Sequence, residues 1–274
     1  MGTHFDPVAF QRYEKAAWER KAAGYHAFYA PLSGYVIDAL LDSADVQQGT
    51  MLLDVGSGPG YVAARAVARG ANVIGMDLSE QMVRLAREIN PGIQFEVGDA
   101  QKLAYPSGSF DAVVGNFSLH HMPDQSRALQ GFTRVLRPGG GVAMTQWDEP
   151  VRCRFLGVFA DSVRLAGAVA PDDLPTGPPM ATSDTAYEDL LTGAGLCAPR
   201  VETIVYAHRF AHPDELWNGV LAGSLRTAAL ITCQPEPVRT RIRKIFDHLI
   251  KEYETPSGLE VPVSVKLFSA KVPV

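Results

Sequence analysis

Five short apolar runs, MLLDV (51–55), NVIGMD (72–77), IQFEV (93–97), FDAVVGN (110–116) and GVAMTQW (141–147), alternate with amphipathic stretches. Runs of this length and β-branched content are the size of buried strands. Between them, YVAARAVAR is closed by Gly70, and SEQMVRLAREI opens on Ser79 as N-cap and stops at Pro91. DQSRALQGFTRVL opens on Asp124 and ends at the RPGG turn. Strands alternating with helices predict βαβ units and a mostly parallel sheet covered on both faces.

The flanks are read more coarsely. FQRYEKAAWERKAAGYHAFY and, after Pro31, PLSGYVIDALLDSA are expected as helices. Beyond residue 150, VRCRFLGVFADSVRLAGAV reads as a helix and APDDLPTGPPMATSD as a Pro-rich connection, functional or mobile at that length. TAYEDLLTGAG (helix) and RVETIVYAH (strand) resume the rhythm. HPDELWNGVLAGSLRTAALI and EPVRTRIRKIFDHLIKEYE read as two further helices before a last strand, LEVPVSVKLFSA. His208 and His212 are expected in a loop, because Pro213 argues against a helix through both.

LLDVGSGPG places Gly56, Gly58 and Gly60 after a strand and before a helix, where backbone can approach a ligand closely. Alone, such a loop is also an ordinary tight turn. Three further strands each end in a polar residue: Asp77 after VIGM, Asp99 after FEVG and Asn116 after AVVG. Ligands bind open α/β sheets at those carboxyl ends, and a carboxylate there holds the ribose hydroxyls of an adenosine. Asp54, two residues before the first glycine, would repel a dinucleotide pyrophosphate but suits the ammonium of a methionine moiety. Tyr61 also stands where the dinucleotide fingerprint wants glycine or alanine, and no P-loop GK[ST] is present. S-adenosylmethionine fits these residues best.

With LLDVGSGPG, VIGMDLS, GDAQKLAYPSGSFDAVV, NFSLHHMPD and RVLRPGGG in order, the chain resembles class I S-adenosylmethionine-dependent methyltransferases, most nearly the UbiE-like small-molecule subgroup. The likeness spans residues 50–147. It implies a Rossmann-like α/β fold with a mostly parallel seven-stranded sheet, helices on both faces and a helical lid or cap. Residues 1–49 are then the lid, 50–149 the cofactor-binding core, and 150–274 the rest of the sheet with helical insertions capping the substrate. By motif position the resemblance assigns Asp54, Gly56, Ser57, Gly58 and Gly60 to the methionine end, Asp77 to the ribose, and Asp99 and Ala100 to the adenine. It puts Asn116 near the sulfonium, and counts Tyr25, Leu78, Met82, Gln101 and Phe117 among cofactor-binding positions.

Methyl transfer from a sulfonium is an in-line displacement, so alignment supplies much of the rate. A base is needed only where the acceptor must lose a proton. His120 and His121 follow the fourth strand, on the loop expected to border the acceptor, and are the catalytic candidates. In similar O-methyltransferases the first histidine serves as base, partnered by an Asp ending the fifth strand. Here Gln146 stands at that position, with Asp148 or Glu149 as substitutes. The alternative is a structural corner, with one histidine packed and the other bonded to backbone. His120, Gln146 and Trp147 are the expected substrate contacts. Trp217 and Phe155 are read either as further acceptor walls or as core, and Tyr25, His26 and Tyr29 either as cofactor cover or as packing.

Adjacent histidines rarely converge on one ion, and no Cys or Asp cluster completes a metal site. Cys153, Cys197 and Cys233 form no CxxC pair, which predicts reduced thiols in a cytoplasmic protein. A net charge of −5 argues against a nucleic-acid partner, and RTRIRK (239–244) reads as a solvated helix face. No signal segment is read at the N-terminus; Gly2 lacks the Ser or Thr that lipidation wants at position 6, where Asp6 stands. No apolar run approaches a membrane span. The expected partner is a small-molecule acceptor, and the expected assembly a monomer or homodimer. Two other activities compete with methyl transfer: a pericyclic or elimination reaction using the same cofactor without consuming it, and nicotinamide-dependent oxidoreduction, disfavoured by Asp54.

Overall fold

The computed structural model describes residues 5–274; Gly2 lies outside them. A helix α1 (Pro7–Gly34) opens on Asp6, whose carboxylate accepts from the Val8 and Ala9 amides. It runs straight through Pro31, where the sequence predicts a break. A proline costs about 3 kcal/mol inside a helix, but burial of Phe28, Tyr29 and Leu32 around it holds the last turn in place.

The alternation then follows as β1 (Met51–Val55), β2 (Asn72–Asp77), β3 (Gln94–Val97), β4 (Phe110–Asn116) and β5 (Leu136–Trp147). Between them run α3 (Tyr61–Ala68), α4 (Glu80–Ile89) and α5 (Gln125–Val135), after a short α2 (Ile37–Ser43). Ser79 and Asp124 cap α4 and α5, accepting from the Met82 and Arg127 amides. The RPGG segment, expected as a turn, is instead absorbed into β5 as an irregularity: the register jumps from Phe110↔Leu136 to Ala112↔Gly141.

Beyond β5 come α6 (Arg154–Leu165), α7 (Asp184–Gly193), β6 (Cys197–Phe210), α8 (Pro213–Gly223), α9 (Arg226–Thr232), α10 (Glu236–Leu249), a two-residue β7 (Glu254–Thr255) and β8 (Gly258–Lys271). The main sheet order is β3-β2-β1-β4-β5-β8-β6, with β7 paired on β8. Neighbours from β3 to β5 pair parallel, and β8 pairs antiparallel to both β5 and β6. This is the mostly parallel sheet that the alternation predicts, in the Rossmann-like order that the resemblance implies.

Leu52, Ala63, Val83 and Ala112 build the core under α2, α3 and α4; Leu129, Phe132, Leu191 and Phe268 build that under α5 and α7. A third core joins α1 to α6, α8, α9 and α10 through Leu32, Phe159, Trp217 and Phe246. Helix α2 packs in the sheet core, so the covering element of the first 49 residues is α1. The single helix expected over 212–231 is two. Ser224 turns extended after Gly223, whose added Cβ would press on the Tyr29 ring, and its hydroxyl accepts from the Ala228 amide. His208 lies within β6, not in a loop, and His212 caps α8 by accepting from the Glu215 amide. Among the described residues, no helix is long and apolar enough to cross a membrane.

Candidate active site

The order of the sheet reverses between β1 and β4, and ligands meet open α/β sheets in the crevice beyond such a switch point. A cavity of about 360 Å³ opens there. Four strands deliver polar side chains to its wall: Asp54 in β1, Asp77 ending β2, Asp99 just past β3 and Asn116 ending β4. The Asp77 carboxylate accepts from the Gly58 and Ser79 amides, both at 2.9 Å, tying the glycine loop to the start of α4. Asp99 accepts from the Gln101 amide at 3.0 Å and from Gln11 Nε2 at 2.9 Å. Asn116 Nδ2 donates to the Ser33 carbonyl, and its Oδ1 accepts from Thr145 Oγ1.

Asp54 is different. It is 1% exposed, and neither carboxylate oxygen meets a hydrogen-bond partner among the described residues. Burial pushes its pKa to about 7, and the nearby Asp77 charge adds to that rise. An uncompensated carboxylate in a protein interior is costly and is relieved by a cation beside it. The hydroxyls of Ser57 and Ser118 on the same wall are likewise unpartnered. This donor and acceptor set fits an amino acid bearing a positive charge, and so fits S-adenosylmethionine.

Gly56, Ser57, Gly58, Leu78, Met82, Ala100, Gln101 and Phe117 line the cavity as expected of cofactor-binding positions. Gly60 does not. It starts α3 at φ +85°, and an added Cβ would lie 2.6 Å from the Phe95 ring, so it serves helix packing. Phe117, at φ +54°, is a strained backbone position of the kind found at sites. It stacks on Trp147 with ring centroids 3.7 Å apart.

Helix α1 covers the cavity with Gln11, Glu14, Trp18, Tyr25 and Tyr29. Tyr25 stacks on Tyr29 and takes the edge of Trp18; burial pushes its hydroxyl up to about 12. His26, next along, bonds to the Tyr61 hydroxyl. Glu14 and Trp18 were not singled out in the sequence. The available signal was their spacing, since 14, 18, 25 and 29 fall on one helical stripe, with a carboxylate on an otherwise aromatic face.

The two histidines occupy a 3₁₀ turn (Leu119–His121) directly after β4, and both line the cavity. His121 Nδ1 lies 2.8 Å from Glu14 Oε2, and its ring takes a T-shaped contact with Trp18 at 5.0 Å. The ring of His120 is accessible from the cavity, while its Nδ1 is sealed without a partner. Burial, reinforced by His121, pushes its pKa well below the ordinary histidine value, which keeps the imidazole neutral. The carboxylate partner expected from β5 or just after it therefore comes from α1, and it serves the second histidine.

Gln146 is the second correction. Its Nε2 donates to the Tyr187 hydroxyl at 3.0 Å and it does not reach the cavity, whereas Trp147 does. Adjacent strand residues face opposite sides, so the two cannot share a wall. Asp148 is likewise engaged elsewhere, accepting from Ser264 Oγ and the Glu149 amide. Phe155 and Trp217 are core: Phe155 packs behind Trp147, and Trp217 lies against Phe159 and beneath the Arg243 guanidinium.

Residues 53–144 match the family described as "Methyltransferase domain". The chain is 40% identical over 114 residues to 27-O-demethylrifamycin SV methyltransferase of Amycolatopsis mediterranei, covering 39% of this chain and 42% of that protein. It is 32% identical over 224 residues to nocamycin O-methyltransferase of Saccharothrix syringae, covering 78% of this chain and 71% of the relative. The crystal structure of YcgJ from Bacillus subtilis has the same fold, with a TM-score of 0.58 at 17% identity over 88% of this chain and 99% of that one.

Proposed function

The chain belongs to the class I S-adenosylmethionine-dependent methyltransferases, in their UbiE-like small-molecule branch, and on that premise we propose that it methylates an oxygen of a small organic acceptor with His120 as general base. The observation that carries this reading is the meeting, in one cavity, of the unpartnered Asp54 carboxylate and the cavity-facing ring of His120.

When bound, the cofactor supplies an electrophilic methyl group on a cationic sulfur. Asp54 and the Gly56–Gly58 loop would hold its amino-acid end, Asp77 its ribose, and Asp99 with Ala100 its adenine. Asn116, fixed by Ser33 and Thr145, would border the methyl-donating end of the bound cofactor. Phe117 and Trp147 form a flat apolar wall that excludes water from the line of attack. The unprotonated ring of His120 accepts the acceptor's hydroxyl proton as the new bond forms. Helix α1 is the lid, and α6 with α8 and α9 forms the acceptor cap over the core. The names of the two relatives, one an O-demethylrifamycin methyltransferase and the other an O-methyltransferase of nocamycin, support an oxygen acceptor and a place in secondary metabolism.

Incubation with methyl-deuterated S-adenosylmethionine and candidate hydroxylated acceptors, followed by mass spectrometry, tests the proposal. Labelled methyl on the acceptor and S-adenosylhomocysteine in equal amount are expected. Conversion of an acceptor without cofactor consumption would overturn methyl transfer in favour of the non-methylating reaction.

A further inference from the structure

The break between α8 and α9 brings Gly223–Thr227 onto the cavity wall. Within that segment Arg226 is the one lysine or arginine lining the cavity among the described residues. Its guanidinium is half-buried and makes one hydrogen bond there, from Nη1 to the Pro175 carbonyl at 2.6 Å. No carboxylate lies within ion-pair distance of it among the described residues, although twelve other side chains of Arg, Lys or His make such pairs elsewhere.

The surroundings of Arg226 sharpen the contrast. Leu225, Leu156, Trp18 and Tyr29 give the same cavity apolar and aromatic walls. Of the four carboxylates lining the cavity, Asp54, Asp77 and Asp99 belong to the strand ends assigned to the cofactor, and Glu14 is paired with His121. A guanidinium has five donors in a rigid fork that matches an oxyanion in two-point contact, and such bonds are about twice as strong as neutral ones. Through Pro175 the same side chain holds the Pro-rich segment between α6 and α7, so that connection is part of the cap.

We infer that the acceptor is an anion, an apolar or aromatic small molecule whose carboxylate or enolate oxygen is held by Arg226 while its reacting hydroxyl faces His120. This rests on the methyltransferase reading and adds to it the charge of the substrate. Arg226 then determines specificity and takes no part in the displacement.

The test uses the whole chain loaded with S-adenosylhomocysteine and titrated calorimetrically with a hydroxynaphthoate and with its methyl ester. The acid is expected to bind at least about tenfold more tightly than the ester. Arg226→Gln removes the charge and the guanidinium fork, so the acid should fall to the affinity of the ester. Arg226→Lys should restore part of the preference. Equal binding of acid and ester, binding of neither at millimolar concentration, or an equal loss of both in Arg226→Gln overturns the assignment. The last outcome would make Arg226 an anchor of the Pro-rich segment alone. Failure to bind S-adenosylhomocysteine at the outset would instead remove the methyltransferase reading, and this inference with it.

Discussion

Glu14 and His121 meet 2.8 Å apart across 107 residues of sequence, a carboxylate of α1 against an imidazole of the turn after β4. Glu14 is 1% exposed, so the pair fastens α1 over the cavity from within. Removing His121 leaves the buried Glu14 carboxylate unsatisfied, at a cost of roughly 1–3 kcal/mol. His121→Ala should therefore lower the denaturation midpoint. The double variant Glu14→Ala/His121→Ala should be less destabilised than the sum of the single changes, and a strictly additive cycle would show that the pair is not coupled.

Helix α1 crosses α8 at glycine. A Cβ on Gly24 would overlap the Ala222 carbonyl, and one on Gly219 would overlap the Phe28 ring. Overpacking of this kind costs about 1–3 kcal/mol. Gly24→Ala should lift α1 from the cavity, lowering thermal stability and weakening S-adenosylhomocysteine binding together. Loss of stability with unchanged affinity would detach the crossing from the site.

Burial raises the Asp54 pKa from 3.8 to about 7, and raises that of Asp77 in the same direction. The folded state therefore holds the Asp54 proton more tightly than the unfolded chain. Below about pH 4 both states are protonated and the group is neutral in effect. As pH rises from 4 to 7 the ligand-free protein should lose stability, by roughly 4 kcal/mol at most from this residue. Chemical denaturation across that range should show the slope in the wild type and a shallower one in Asp54→Asn. Binding of the cationic cofactor at pH 6 should release a proton, read as a dependence of binding enthalpy on buffer.

The lowered pKa of His120 leaves its base form populated through and below the ordinary histidine range. Turnover with a hydroxyl acceptor should be flat as pH falls to 6.5 and decline only below it. His120→Ala should reduce kcat by about a hundredfold or more while cofactor affinity stays nearly intact. Unchanged turnover would reduce the histidine pair to a structural corner.

The sheet is legible in the sequence because apolar runs of strand length alternate with amphipathic helices, and Asp77, Asp99 and Asn116 at or just past three of those runs mark its carboxyl edge. Gly60 shows the limit of that signal, since a glycine needed for close packing against Phe95 looks the same as one needed for a ligand. Gln146 differs, because the two-residue period of a strand already sets it on the face opposite Trp147. The Glu14–His121 contact was out of reach for a different reason. It depends on where α1 docks, which is settled by the α1–α8 crossing and not by any local pattern.

Calorimetric titration with S-adenosylhomocysteine, set against NAD under the same conditions, addresses the site itself most directly. S-adenosylhomocysteine should bind once per chain, NAD should give no heat, and Asp54→Asn should weaken the binding by about tenfold or more. Binding of NAD in preference to S-adenosylhomocysteine, or an Asp54→Asn variant with undiminished affinity, would contradict the account.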